Sequence, residues 1–284
     1  LKPEITAHGG EITSAVPGGY ETLSGTSMAA PNMSGAIAIL RNYVHKTYPE
    51  LTGKALTNRV YQLLMSTATM ARNEENNPYS PRKQGAGLAG INEAIKTQAY
   101  LTTDDEKGNE QDKPKIELGD DKKKTGVYEI PFDIHNISSR VKTYRPDVYV
   151  MTESLSTDLK TVAEKAYMLD NCKIEITAGG NAVAEGGAIS VPAGGEVHVV
   201  VKITLDAGAR EYLDKTFANG MFLEGYVRLI DNDADGVELG IPYLGFYGDW
   251  NQAPLFDWSV YEVAESEADR TVEEEDKKKA SASS

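Results

Sequence analysis

Apolar residues recur along the chain with two periods, and the change between them falls near residue 100. Before it, Met33, Ile37, Leu40 and Val44 return every three to four residues, which predicts a helix over about 27–48 with one buried face. Ala29, Ala30, Gly35, Ala36 and Ala38 let a neighbour approach that helix closely, and Pro31 is placed in its first turn, where a missing N–H is tolerated. Leu56, Val60, Leu63 and Leu64 form a second stripe, on a helix that starts at Thr52 or Gly53 and runs to about Met70. Residues 5–7 and 12–16 read as short extended pieces between Gly and Pro. Gly85-Ala86-Gly87-Leu88 reads as a turn, and residues 91–96 as a short closing helix.

Over residues 126–256 the period is two. Ile130, Phe132 and Ile134 alternate with more polar positions, as do Val197, Val199, Val201 and Ile203, and then Val237, Leu239 and Ile241. Gly179-Gly180, Gly186-Gly187 and Gly194-Gly195 supply turns, and short strands between turn signals predict a β-sandwich. A helical insertion is expected at 159–168 or at 207–215. Residues 102–124 are polar and read as an exposed connection followed by a loop or edge-strand approach. The charged run 273–279 and the closing Ala280-Ser281-Ala282-Ser283-Ser284 read as a linker or frayed end. The expected divisions are 1–100, a polar connection and sandwich entry at 101–124, a sandwich at 125–257, and a tail or linker to a further module at 258–284.

Composition narrows the function classes. Hydrophobic residues make up 40% of the 284 and charged residues 25%, enough apolar material for real cores and too much for a largely disordered chain. The 29 basic residues against 43 acidic leave a net charge of −14, which argues against a sequence-independent grip on nucleic acid or anionic lipid. Cys172 is the single cysteine, so the chain has no intrachain disulfide and no cysteine-based zinc site; a small apolar side chain is its expected role. No run approaches the ~20 apolar residues of a membrane span. The first residue is Leu1, followed by Lys2-Pro3-Glu4 with no apolar signal core, a start expected of an interior cut through a longer protein.

The chemistry lies in Gly25-Thr26-Ser27-Met28-Ala29-Ala30-Pro31-Asn32-Met33-Ser34-Gly35. A serine at a helix start, after a glycine turn, exposes its hydroxyl at the helix mouth. Backbone N–H groups and the positive end of the dipole face any negative charge that forms there. Taken by itself such a serine is most often an N-cap. The full string, with Gly-Thr-Ser, a small residue two places on, Pro at the fourth place and Gly further along, resembles the active-site serine signature of the subtilisin-like proteases, or subtilases. Lys2-Pro3-Glu4-Ile5-Thr6-Ala7 with Gly9-Gly10 resembles the segment that precedes this serine in the family, and Gln84-Gly85-Ala86-Gly87-Leu88 the piece that closes its catalytic domain. Asn219-Gly220-Met221-Phe222-Leu223-Glu224-Gly225-Tyr226-Val227 and the later Ile241-Pro242-Tyr243-Leu244-Gly245-Phe246-Tyr247-Gly248-Asp249-Trp250 resemble the fibronectin type III-like domain of cell-envelope, lactocepin-like subtilases.

The resemblance implies that Ser27 is the nucleophile, attacking a scissile carbonyl and passing through a tetrahedral oxyanion to an acyl-enzyme. Its own N–H would donate to the oxyanion with Thr26 assisting, and Met28 would be an oxidation-sensitive neighbour. Family order is Asp, His, Ser. Residues 1–26 contain no Asp. His8 stands where the family usually has Pro and reads as a loop histidine. His45 lies some four turns along the serine helix, and His135 and His198 fall in the sandwich as solvated strand positions. The family's upstream oxyanion Asn is absent as well.

Asp231-Asn232-Asp233-Ala234-Asp235-Gly236 resembles the start of a calcium loop, since alternate carboxylates can converge on a hard cation. The twelfth position is Pro242 rather than Glu, and a place between two strands suits a hairpin turn. No cofactor is therefore expected, with calcium at Asp231 to Asp235 the weaker alternative. Asn32-Met33-Ser34 and Asn136-Ile137-Ser138 fit the glycosylation pattern only formally.

The expected architecture is α/β, a partial subtilisin-like parallel-sheet domain, followed by an all-β fibronectin type III-like sandwich. The expected function is that of a fragment of a secreted or cell-wall-associated bacterial serine endopeptidase, inactive without its base. Its partners would be a peptide or protein substrate and the missing N-terminal part of the catalytic domain. The alternative is a non-catalytic binding or spacer module that carries a protease remnant. Residues 1–100 are expected to expose apolar surface and to be less stable than the sandwich.

Overall fold

The chain reaches its first helix through an antiparallel hairpin of β1 (Ile12–Val16) and β2 (Gly19–Leu23), after which α1 (Thr26–Thr47) begins. The computed structural model describes residues 1–104, 112–155 and 162–252. α1 buries Ala36, Leu40 and Val44 on one face, as the spacing predicts. Pro31 is not in the first turn: it lies five residues into α1, so the helical N–H that would reach back to the Ser27 carbonyl is missing. α2 (Gly53–Ser66) stops short of Met70. There the Thr67 hydroxyl donates to the Leu63 carbonyl at 2.8 Å, and Thr69 leaves to bridge Leu88. A single turn, α3 (Pro81–Gln84), was not legible in the periodicity, whereas α4 (Ile91–Lys96) lies where predicted. Leu40, Val44, Leu56, Val60, Leu63 and Ala94 form the core between these helices.

β3 (Ala99–Thr102) joins two cores by the strand rule that alternate side chains face opposite ways. Tyr100 packs among the helices, while Ala99 and Leu101 enter the sandwich. The remaining elements are β4 (Ile116–Asp120), β5 (Val127–Asn136), β6 (Lys142–Leu155), β7 (Val162–Met168), β8 (Lys173–Ala178), β9 (Asn181–Val183), β10 (Ile189–Val191), β11 (Glu196–Thr204), α5 (Ala207–Thr216), β12 (Met221–Asp231) and β13 (Leu239–Tyr247). One sheet runs β3-β5-β11-β8-β9; the other runs β10-β6-β12-β13-β4, with β7 added on β6. Phe132 pairs with Val199 and Ile130 with Val201, and these residues share the interior with Leu223, Val227 and Leu229 of the opposite sheet. The helical insertion falls at α5, whose N-cap Asp206 accepts from the Ala209 N–H at 2.9 Å. Of the other expected location, residues 162–168 form a strand and 159–161 lie outside the described residues.

The described residues are thus mixed sheets with helices. The parallel sheet expected of the first segment is represented there by one parallel bridge, Thr6 with Leu88. A parallel sheet needs crossover-connected neighbours, and residues 1–104 supply helices and an antiparallel hairpin instead. Leu1–Asp249 forms one compact unit. In the second, Trp250–Ser284, the described residues form a short 3-10 turn at Trp250–Gln252, and the tail expected at 258–284 lies outside the described residues. No helix among the described residues is long and apolar enough to cross a membrane.

Candidate active site

Ser27 is the second residue of α1, after Gly25 and Thr26. Its side chain is exposed, and its hydroxyl makes no hydrogen bond among the described residues, to His8, His45 or any other group. The Met28 and Ala29 N–H groups are spent on the Gly25 carbonyl, at 3.0 and 3.2 Å. The Thr26 and Ser27 N–H groups precede the first helical acceptor and make no hydrogen bond among the described residues, which leaves two donors beside the hydroxyl.

The approach segment fixes this helix mouth. Gly25 donates its N–H to the Gly9 carbonyl at 2.8 Å, and Asn32 Nδ2 donates to the His8 carbonyl at 3.1 Å. Gly9 has to lack a side chain, because a Cβ there would stand 2.6 Å from the Gly25 carbonyl oxygen. Further back, Thr6 N–H donates to Gly87 O, Ala86 N–H to Glu4 O and Ala89 N–H to Thr6 O, each at 2.9 Å. These bonds use one edge of the extended segment. Along the other edge, Ile5 and Ala7 make no backbone hydrogen bond among the described residues. Beside them Pro3, Ile5, Ala7, Ala29, Ala30 and Met33 line an open groove of about 460 Å³.

Charge around the segment is balanced locally. Burial acts to raise the Glu4 carboxyl, but Lys2 and Lys113 overcome it and hold the pKa at about 2. Lys113 Nζ lies 3.0 Å from Glu4 Oε1.

The other sequence candidates sit elsewhere. His8 and His45 are exposed. His135 is not a solvated strand position: Nε2 lies 2.8 Å from Thr102 Oγ1, Nδ1 lies 3.1 Å from Glu196 Oε2, and the ring stacks on Tyr100 with centroids 4.7 Å apart. The pairing of β3, β5 and β11 brings these groups together, a register that no local pattern reveals. His198 is exposed and pairs with Asp133 at 2.8 Å. In the acidic loop, Asp231 and Asp233 each place a carboxylate oxygen 2.6 Å from Nζ of buried Lys142, so an ammonium stands between the two carboxylates. Asn136 is buried and donates to three carbonyls, which closes it to glycosylation. Burial pushes the half-buried Cys172 thiol up to about 11, away from thiolate chemistry.

The subtilase family model matches residues 1–87, and an Fn3-like domain model matches residues 116–244. C5a peptidase of Streptococcus pyogenes serotype M1 is 29% identical over 264 residues, which cover 92% of this chain and 20% of that protein. The PI-type proteinase of Lactococcus lactis subsp. cremoris is 32% identical over 267 residues, covering 90% of this chain and 13% of that protein; the PII-type proteinase of Lacticaseibacillus paracasei has the same identity and coverage. The chain spans a fifth or less of the length of these relatives. Among solved structures, the PapD-like domain 7 of human CEP192 superposes with a TM-score of 0.32 at 8% identity, over 54% of this chain and 87% of that one, and carries no argument. The serine segment, within residues 1–87, is thus similar to the subtilase family, and the stretch that follows it, residues 116–244, to an Fn3-like domain.

Proposed function

We propose that Ser27 is the nucleophile of a serine endopeptidase and that this chain supplies the nucleophile but not its base. The carrying observation is an exposed, unbonded hydroxyl at the start of α1, held by the Gly9–Gly25 backbone bond inside the family's serine segment. In the proposed reaction Ser27 Oγ attacks the scissile carbonyl while a histidine from outside these residues takes its proton. The Ser27 N–H, with that of Thr26, donates to the oxyanion, and collapse of the tetrahedral intermediate releases the amine and leaves an acyl-enzyme that water hydrolyses.

The free edge at Ile5 and Ala7 and the adjoining groove are proposed as the seat of the N-terminal part of a subtilase catalytic domain, with a parallel strand adding along that edge. Such a strand would bring the acid, the base and an oxyanion-hole Asn with its own domain. The substrate is a peptide or protein, and the location is secreted or attached to a bacterial cell wall. No cofactor is assigned, because the Lys142 ammonium already lies between the Asp231 and Asp233 carboxylates of the acidic loop.

Hydrolysis of a generic peptide tests the reading. A polypeptide that extends this chain upstream through the family's Asp, His and Asn regions should cleave the peptide, and its Ser27→Ala variant should lose at least about a thousandfold in kcat, since the covalent step goes with the hydroxyl. Equal cleavage by the two would overturn the assignment. No cleavage by either would favour a binding or spacer module.

A further inference from the structure

Glu224, Tyr226 and Arg228 alternate along β12 and so point away from the sandwich interior, which takes Leu223, Val227 and Leu229 from the same strand. The outward face of an antiparallel sheet is commonly solvated. Here the three residues are 1%, 1% and 6% exposed. What covers them is the stretch from the end of α2 to the turn after α3, and each residue bonds to a different point of it. Arg228 Nη1 donates to the Ala68 carbonyl at 3.0 Å. The Tyr226 hydroxyl lies 3.2 Å from the Tyr79 carbonyl and 3.1 Å from that of Gly85. Glu224 accepts from Arg82 Nε at 2.8 Å, and Arg82 also pairs with Glu153 and stacks over Phe222.

We infer that this outward row of β12 is a positioning platform for Ser27, a role that rests on the proposed nucleophile for its catalytic meaning but not for its structural test. Rigid backbone links carry position from one to the other. Gly85 is wedged against Glu4, since a Cβ there would stand 2.3 Å from the Glu4 carbonyl, and Ala86, Gly87 and Ala89 bond the extended segment. Gly9 at the end of that segment accepts from Gly25, the residue that opens the serine helix. Loss of a hydroxyl or guanidinium on β12 therefore loosens the Ser27 mouth, although no β12 side chain touches it.

Hydrogen exchange on the 284-residue chain tests this without any turnover. The reporters are the amides of Thr6, Gly25, Ala86 and Ala89, with the β5–β11 ladder as reference. Tyr226→Phe keeps the ring and folds, but leaves the buried Gly85 carbonyl without that donor. It should speed the four reporters by roughly five- to tenfold while the reference is unmoved. Arg228→Met should do the same, and Arg228→Lys, which keeps a donor, should restore much of the protection. Unchanged reporters in both Tyr226→Phe and Arg228→Met would overturn the inference. So would equal acceleration of reporters and reference, because that is general destabilisation.

Discussion

The exposure of Ser27 depends on glycines as much as on the serine. Gly9 and Gly85 sit where backbone approaches backbone, and Gly85 also has a positive φ of 61°. Gly85→Ala is expected to destabilise the chain by about 3 kcal/mol, combining left-handed strain with a backbone collision. Urea unfolding checks this, and a change under about 0.5 kcal/mol would count against the tight approach. A second residue-scale effect concerns Glu153. Burial raises its pKa most; Arg82 pulls it back and the Glu224 carboxylate pushes it up again, so it stays above its ordinary 4.5. An acid whose pKa is raised on folding binds protons more tightly when folded. Its contribution to stability is therefore present below 4.5 and lost as pH rises through the folded value. Relative to Glu153→Gln, the native chain should lose stability from pH 4.5 upward, and a relative gain over that range would show the opposite shift. The serine segment was legible because its residues are contiguous. The Arg82–Glu153–Glu224 cluster was not, because strand pairing gathers it from positions 71 and 142 residues apart.

At the scale of elements, α1 shows what periodicity can and cannot say. Its buried stripe was readable, and Leu40, wholly buried against α2 and α4, anchors it. Leu40→Ala is expected to cost about 3 kcal/mol in thermal or urea unfolding, since a well-packed site collapses only partly. A cost below about 1 kcal/mol would mean that the helix core is loosely packed. The other side of α1 carries Ile39 at 55% exposure, and Tyr20 on the hairpin is 81% exposed, in keeping with apolar surface left open in the first segment. Helix ends were harder to place. Pro31 reads as a first-turn residue, yet α1 starts at Thr26, and α2 ends four residues early, where the Thr67 hydroxyl bonds back to the Leu63 carbonyl and Thr69 is drawn into a tertiary bridge with Leu88. Strand alternation in β5 and β11 located the sandwich, but a central strand buried on both faces, such as β12, hides its second role from a period-two reading.

For the whole molecule, the helical segment and the sandwich meet in a shared unit over Leu1–Asp249, joined through β3 and the outward face of β12. The net charge of −14 remains an argument against nucleic acid, and in the acidic loop the ammonium of Lys142 lies between the carboxylates of Asp231 and Asp233. The central claim is that Ser27 is a nucleophile without a base among these residues. Its most direct measurement is mass-spectrometric mapping of a fluorophosphonate adduct, with peptide turnover followed alongside. In the 284-residue chain the expected result is no adduct and no turnover, and in a polypeptide extended upstream through the subtilase Asp, His and Asn regions the expected adduct is on Ser27. An adduct on a different serine of the extended polypeptide, or turnover by the 284-residue chain that disappears in Ser27→Ala, would contradict it.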